Sequence, residues 1–119
     1  MKNGILGSVV IAVSVMFDHD LVDQAIKKIA EEFNPEKIII FGSAANGKAG
    51  DQSDLDILVV MDTDLSYYRR APEVRKKLLG IPLAMDIFVT TPEEFSTYKD
   101  DERSFIRNIV RTGKMAYGS

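Results

Sequence analysis

The strongest constraint on the fold is a set of three short apolar runs, separated by helical or glycine-containing segments. Each run is apolar, rich in β-branched residues and too short for a buried helix, so each predicts a buried strand. The three runs are Lys37–Phe41 (KIIIF), Asp54–Met61 (DLDILVVM) and Leu83–Val89 (LAMDIFV). The chain has 119 residues, which is the size of one domain. It therefore predicts one α/β domain with a small mixed sheet flanked by helices.

The predicted helices are marked by start and stop signals. Asp20 is expected to cap the first helix, and Asn34-Pro35 to end it, because the residue before a proline avoids the helical region. In the second helix Pro72 is expected to start or break the helix. Gly113 is expected to end the last one. The four helices cover 20–33, 66–79, a segment that begins at Thr91-Pro92-Glu93-Glu94, and Ser104–Arg111.

Composition narrows the chemistry that the chain can perform. There is no cysteine and only one histidine, which excludes disulfide scaffolds, zinc ribbons and thiol nucleophiles. The net charge of −3 argues against a general binder of duplex DNA. Carboxylates, hydroxyls, basic side chains and backbone amides remain. Carboxylates without histidine or cysteine favour hard cations such as Mg²⁺.

Asp54 and Asp56 are the first candidate ligands. They lie two residues apart on a predicted strand, so both side chains point to one face while Leu55 and Ile57 point to the other. Two carboxylates held this close repel each other unless a cation lies between them. Between Asp51 and Asp64 there are five acidic residues and no basic one, so no neighbour in sequence neutralises the pair.

Asp86 is the third candidate, because it is the single charge inside an apolar strand. A charge in such a position is normally paired or bound to a metal. If its strand is next to the strand of Asp54 and Asp56, three carboxylates converge. Such a cluster is typical of two-metal sites for phosphoryl or nucleotidyl transfer. The plainer alternative is that Asp86 lies on the exposed face of an edge strand.

The loop that begins at Gly42-Ser43 is a candidate for binding phosphates. It follows a strand directly, and its glycines and small side chains leave backbone amides accessible. Residues 42–49 also spell G-x-x-x-x-G-K-A, close to a P-loop, but Ala49 lacks the hydroxyl that binds Mg²⁺. Gly50-Asp51 is in addition a poor helix start, so a P-loop is disfavoured.

The complete pattern is more specific than its parts. Gly42-Ser43, ten residues, and Asp54-x-Asp56 spell G-S-x(10)-D-x-D between two apolar strands. This resembles the signature of the DNA polymerase β-like nucleotidyltransferase superfamily, and Asp86 is similar to its third carboxylate. The short length and the tail from Thr91 to Tyr117 resemble the minimal nucleotidyltransferases of bacteria and archaea. The resemblance spans about residues 18–117.

The resemblance implies a role for each matching residue. Gly42 and Ser43 would hold the terminal phosphates of ATP, and Asp54, Asp56 and Asp86 would bind two Mg²⁺ ions. Asp86 would also activate the acceptor. Many minimal members have arginine two and four residues after the glycine, where this chain has Ala44 and Asn46. Lys48 is the nearby residue that can supply the missing charge.

The resemblance also implies a partner. Minimal members are typically encoded beside a HEPN-domain toxin, and several are antitoxins that transfer AMP to a tyrosine of that toxin. We therefore expect a cytoplasmic, Mg²⁺-dependent transferase that acts on a protein hydroxyl. Two alternatives stay open. One is a weak or inactive nucleotide-binding module that neutralises its partner by contact, and the other is a transferase for small molecules.

Two further segments have more than one interpretation. Residues 1–17 contain an uncharged apolar run, Ile5–Phe17, that is shorter than the roughly 20 residues of a membrane helix. They are interpreted as a non-essential extension, an ordered strand or dimer contact, or a targeting segment, outside a domain expected to cover 18–117. The basic cluster in the second helix predicts a solvated face or, alternatively, a surface for an acidic partner or RNA. Its members are Arg69, Arg70, Arg75, Lys76 and Lys77.

Overall fold

The computed structural model describes residues 18–45 and 54–118, which form four helices, a short 3₁₀ turn and a four-stranded mixed sheet. This confirms the expected α/β class. The helices are α1 (His19–Phe33), α2 (Tyr67–Lys77), α3 (Pro92–Tyr98) and α4 (Phe105–Thr112). The strands are β1 (Lys37–Phe41), β2 (Leu55–Val60), β3 (Met85–Thr90) and β4 (Lys114–Gly118), and the 3₁₀ turn covers Gly42–Ala44.

The order of strands in the sheet is β3-β2-β1-β4. β2 is antiparallel to β1 and parallel to β3, so the start of β2, the start of β3 and the end of β1 meet at one edge of the sheet. β4 pairs with the other side of β1 in antiparallel orientation. Because of this order, β2 is flanked by β1 on one side and β3 on the other.

One face of the sheet, the α1–α2 face, holds the larger core. Every second strand residue points to it, and its members include Ile38, Ile40, Leu55, Ile57 and Val59. Helix α1 contributes a stripe of residues that are completely buried, namely Val22, Ala25, Ile26 and Ile29. Burial of this much apolar surface is the main favourable term for such a domain.

The opposite face, the α3–α4 face, has a smaller core. Phe95 of α3 and Ile109 of α4 cover Ile39, Leu58 and Val60 there. Helix α3 begins with a capping box, in which Thr91 Oγ1 accepts from the amide of Glu94 and the Glu94 carboxylate accepts from the amide of Thr91. The predicted start of this helix is therefore confirmed.

The other helix signals have mixed outcomes. Helix α1 ends before Asn34, as predicted, but its cap is Asp18 rather than Asp20: the Asp18 carboxylate accepts from the amides of residues 20 and 21. Pro72 does not start or break α2, which runs on through it. The proline is on the exposed side of α2, where water can bind the carbonyl of Tyr68 that loses its partner.

The sequence analysis predicts no strand after Gly113, whereas β4 occupies Lys114–Gly118. Its residues have weak strand propensity, so the strand depends on pairing with β1. Gly118 is part of it, with φ of +85°, and a side chain there would overlap the carbonyl oxygen of Glu36. Sheet context, rather than local sequence, thus decides this element.

Four members of the basic cluster of α2 are exposed, which both interpretations require. Lys76 pairs with Glu73 at 3.0 Å, and Lys77 with Glu32 at 3.5 Å. Arg70 is the exception, because it is buried at 8% exposure and bound to Glu94. No helix within residues 18–45 and 54–118 has the length and apolar character that crossing a membrane requires. The apolar run Ile5–Phe17 lies outside the described residues.

Candidate active site

The start of β2 presents the first two candidate carboxylates on one side of the sheet. Asp54 directly precedes the strand and is exposed, and Asp56 is its second residue and is half-buried. The residues between and after them, Leu55 and Ile57, are completely buried on the α1–α2 face. Asp54 and Asp56 therefore belong to the α3–α4 face, as the alternation of the strand predicts.

Asp86 lies directly beside Asp56. The two residues are register partners in the parallel pair β2–β3, so their side chains leave the sheet on the same face. The carboxyl groups of Asp56 and Asp86 are close enough to raise the pKa of Asp56. The condition for three converging carboxylates, that their strands are neighbours, is met.

The pKa of Asp56 is raised, first by its burial, then by the negative charges of Asp86 and Asp54, and last by the contact with the Asp86 side chain. A divalent cation would remove this repulsion. The donor set consists only of carboxylate oxygens, which suits Mg²⁺.

The three carboxylates do not form a closed ligand set as they stand. Within the described part of the chain, no group of three or more His, Cys, Asp or Glu side chains is arranged to hold a metal ion. Asp56 and Asp86 face each other, while Asp54 is exposed and contributes its charge. The arrangement is a half-buried acid pair with a third acid beside it.

Gly42 brings the backbone of the phosphate-binding candidate against this acid pair. Phe41, the last residue of β1, is the register partner of Asp56, so Gly42 emerges beside the Asp56 carboxylate. Gly42 has φ of +75°, and a Cβ built on it would overlap Asp56 Oδ2. Both the conformation and the space therefore require glycine here.

The 3₁₀ turn follows β1 directly, at the edge of the sheet where β2 begins. The amide of Ala45 donates to the carbonyl of Gly42 at 3.1 Å, and Ser43 within the turn is half-buried. Asn46 and Lys48 lie outside the described residues. The structure thus places Gly42 and Ser43 at the same sheet edge as the carboxylates, whereas the position of Lys48 stays a prediction.

Aromatic side chains border the acid pair, and the sequence analysis does not identify them as a group. The rings of Phe41, Phe88 and Phe105 form a triangle with centroids 5.4 to 5.7 Å apart. Phe41 and Phe88 come from strands and Phe105 from the start of α4, so no periodicity in the sequence connects them. The only local signal is parity, because Phe88 shares the strand face of Asp86.

Arg70 and Glu94 form an ion pair that joins α2 to α3 beside the end of β3. Arg70 Nη1 donates to Glu94 Oε1 at 2.8 Å, and Thr90 Oγ1 donates to the same oxygen at 3.1 Å. The hydrogen bond from Arg70, together with that from the amide of Thr91, lowers the pKa of Glu94 to about 2. The pair fixes the helix that covers the end of β3.

Comparisons with known proteins agree with this architecture. Residues 24–119 match the family model described as "Polymerase beta, Nucleotidyltransferase". A protein of Methanocaldococcus jannaschii named "Putative protein adenylyltransferase" is 37% identical over 82 residues, which are 69% of this chain and 78% of that protein. A solved structure titled as a "putative nucleotidyltransferase" from Sulfolobus solfataricus is 30% identical, with a TM-score of 0.53 over 68% of this chain and 73% of that one.

Proposed function

The chain belongs to the polymerase β-type nucleotidyltransferase family, and from this premise we propose that it transfers AMP from ATP to a hydroxyl of a partner protein with the help of Mg²⁺. The observation that carries the proposal is the parallel register of β2 and β3. It places Asp56 opposite Asp86, with the backbone of Gly42 against the same carboxylate. The similarity to a protein named as an adenylyltransferase supports ATP as the donor and a protein as the acceptor.

Asp54, Asp56 and Asp86 are the residues that would hold magnesium. The negative charges of Asp54 and Asp86 both act on Asp56, and three carboxylates at one edge offer the hard oxygen ligands that Mg²⁺ prefers. When bound, magnesium supplies positive charge to the triphosphate and lowers the pKa of the attacking hydroxyl.

Gly42 and Ser43 would bind the β- and γ-phosphates, through a backbone amide and a hydroxyl respectively. Only a glycine leaves the backbone this close to Asp56, so the phosphate end of ATP and the carboxylates can occupy adjacent space. Lys48 would add positive charge to this end of the site.

Asp86 would accept the proton of the acceptor hydroxyl. The acceptor oxygen then forms a bond to the α-phosphorus, while the bond from that phosphorus to the bridging oxygen breaks. Pyrophosphate leaves with the electron pair of the broken bond, and the product is an AMP ester of the acceptor.

The resemblance to minimal nucleotidyltransferases supports a specific acceptor. We propose a tyrosine of a HEPN-domain toxin, whose modification would silence the toxin and make this chain an antitoxin. An acceptor on another protein suits a chain whose described residues form a single small domain around the sheet.

A second candidate function is supported by the residues after Gly42. Ala44 and Asn46 occupy positions where many minimal members have arginine, which removes two positive charges next to the phosphates. A chain with a weakened phosphate site would bind nucleotide or the toxin and neutralise it by contact. This alternative predicts that neutralisation survives the loss of the carboxylates.

The test is the transfer of label from ATP labelled at the α-phosphate, with Mg²⁺ and the HEPN protein encoded beside this chain. We expect labelled HEPN protein with the wild type and none with the double variant Asp54→Asn, Asp56→Asn. The matched control is Asp62→Asn, Asp64→Asn, which changes the same charge at the same spacing, at the other end of β2 where both residues are exposed.

Three results would contradict the proposal or select the alternative. Absence of label with the wild type contradicts transfer, and equal loss of label in both double variants shows a general effect of charge. Neutralisation of the toxin by the Asp54/Asp56 double variant selects the contact mechanism.

A further inference from the structure

A cavity of about 390 Å³ lies on the α3–α4 face, beyond the acid pair. It opens between β3, α3, α4 and the first residue of α2. Its aromatic walls are Tyr67, Phe88, Tyr98 and Phe105. Three of these rings are unusually exposed for their type, at 58% for Tyr67, 45% for Tyr98 and 53% for Phe105. The roles proposed above make no use of this cavity.

Phe88 lies between the cavity and the carboxylates. This residue follows Asp86 by two positions on β3, so it lies on the same face about 7 Å further along the strand. Its ring touches Phe41, the register partner of Asp56, on one side and Phe105 on the other. The cavity and the acid pair thus adjoin the same ring on the same face of the sheet.

The order of the strands decides which substrate enters from this side. The proposed phosphate site is at the end of β1, the first two carboxylates are on β2, and Asp86 is on β3, on the opposite side of β2. In phosphoryl transfer the attacking and leaving oxygens are roughly in line across the phosphorus. If pyrophosphate leaves towards Gly42 and Ser43, the acceptor approaches from β3, where the cavity lies.

We infer that the cavity is the subsite for the acceptor, and that it receives an aromatic ring that bears the reacting hydroxyl. This inference rests on the proposed function and names where on the chain the acceptor binds. The volume accommodates one ring with space for the adjoining backbone, and four aromatic walls suit ring–ring contact. A short aliphatic side chain with a hydroxyl would leave these walls uncovered.

Glu94, Thr90 and Ser104 of the lining are already hydrogen-bonded within the protein, which favours an apolar ring over a nucleobase. Glu94 Oε1 accepts from Arg70, Thr90 Oγ1 and the amide of Thr91. Ser104 Oγ donates to the carbonyl of Tyr98 and accepts from the amide of Arg107. A nucleobase would have to give up hydrogen bonds with water without replacement from these groups, whereas a phenol ring would not.

The test measures binding rather than transfer, so that its outcome is separate from that of the proposed function. The full chain, labelled with ¹⁵N, is saturated with Mg²⁺ and a non-hydrolysable ATP analogue and titrated with N-acetyl-tyrosinamide or N-acetyl-serinamide. We expect the tyrosine probe, but not the serine probe, to shift the amide signals of Tyr98, Phe105 and Ile106. The ATP analogue alone should leave these signals in place.

Variants of α4 separate the cavity from the rest of the surface. Phe105→Ala removes one half-exposed aromatic ring from the cavity lining. It should lower the affinity for the tyrosine probe by about fivefold and leave the affinity for the ATP analogue unchanged. Val110→Ala is the control, because it removes an exposed apolar side chain of the same helix that does not line the cavity. Signal dispersion in the NMR spectrum shows that each variant is folded.

Two outcomes would overturn the inference. If Phe105→Ala lowers the affinity for the ATP analogue as much as the affinity for the probe, the base of the nucleotide occupies the cavity. If the tyrosine probe shifts no signal of the lining, the acceptor binds elsewhere. A wild type that binds the probe in the cavity yet transfers no AMP would contradict the proposed function and leave the subsite supported.

Discussion

One face of the sheet is closed by α1 and α2 over an apolar core, whereas the other, under α3 and α4, carries Asp56 and Asp86. Both faces are made from alternate residues of the same strands. In β2, Leu55 and Ile57 are completely buried on the first face, and Asp56 between them is half-buried on the second. Residues that stabilise the fold and a residue proposed for the active site are thus direct neighbours in the sequence.

The comparison teaches how one short strand can serve both purposes. Apolar burial on the α1–α2 face holds β2 in place, so a cluster of mutually repelling carboxylates can be tolerated on the other face. Substitutions in neighbouring residues should therefore affect different measurements.

Asp56→Asn should abolish transfer while leaving the fold intact. The variant removes a proposed magnesium ligand, and we expect AMP transfer to fall by at least about 1,000-fold, or about 4 kcal/mol of transition-state stabilisation. The free energy of unfolding, measured with urea, should stay equal or rise, because a repelled and partly buried carboxylate becomes a neutral amide. Transfer near the wild-type rate would contradict the role of Asp56.

Ile57→Ala, one residue further on, should have the opposite profile. The side chain is completely buried, and its truncation should lower the free energy of unfolding by about 3 kcal/mol. Transfer per folded molecule should remain close to that of the wild type. Leu79→Ala is the control, because that side chain is 81% exposed and its loss should change stability by less than about 0.5 kcal/mol. A large loss of transfer in folded Ile57→Ala would show that the two faces are not independent.

Gly42→Ala should damage both stability and transfer, and Gly80→Ala provides a matched comparison. Both glycines have positive φ, +75° and +97°, so either substitution should cost about 1–2 kcal/mol of backbone strain. Only at Gly42 does the new methyl group meet the Asp56 carboxylate, whereas nothing lies within 4 Å at Gly80. Transfer should therefore fall in Gly42→Ala alone. Equal effects in both variants would mean that contact with Asp56 is unimportant.

Glu94→Gln should lower stability in a way that depends on pH. The pKa of Glu94 is about 2 in the folded protein, below its ordinary value of 4.5, so its charge stabilises the fold above pH 4.5. This contribution is lost as the pH falls from about 4.5 to about 2. The Glu94 side chain is 42% exposed, so we expect a difference of only about 1 kcal/mol at pH 7.

Urea denaturation of the wild type and Glu94→Gln across this pH range checks the prediction. The two curves should converge at low pH, because protonated Glu94 and glutamine are both neutral. Glu73→Gln, in the exposed pair with Lys76, should show almost no difference at any pH. A gap between the wild type and Glu94→Gln that persists at pH 2 would exclude the charge as its cause.

Local sequence patterns predict the structural features that depend on a few adjacent residues. The alternation of β2 placed Asp54 and Asp56 on one face, and the Thr91 signature located the start of α3, because a strand pleat and a helix cap depend on a few adjacent residues. The same holds for the end of α1 at Asn34, which has a left-handed conformation. These features needed no knowledge of the rest of the molecule.

Features that depend on distant contacts were missed or left conditional. The sequence could say that Asp86 would join the other carboxylates only if its strand were adjacent, because strand order is set by the packing of the whole sheet. β4 was missed because only pairing with β1 makes it a strand. Arg70 was grouped with solvated basic residues, since its partner Glu94 is 24 positions away. The cavity is lined by five separate elements, β2, β3, α2, α3 and α4, and no run of sequence signals it.

The pairing of β2 with β3 makes the candidate site sensitive to changes in chain length. The hydrogen-bond ladder aligns Asp56 with Asp86 residue by residue, so a deletion of one residue inside β3 after Asp86 would turn its side chain to the opposite face relative to the rest of the strand. A deletion in the turn at 79–82, before the ladder begins, leaves the alignment intact. Relatives of this chain should therefore differ in length between α2 and β3 but not between this aspartate and the end of β3.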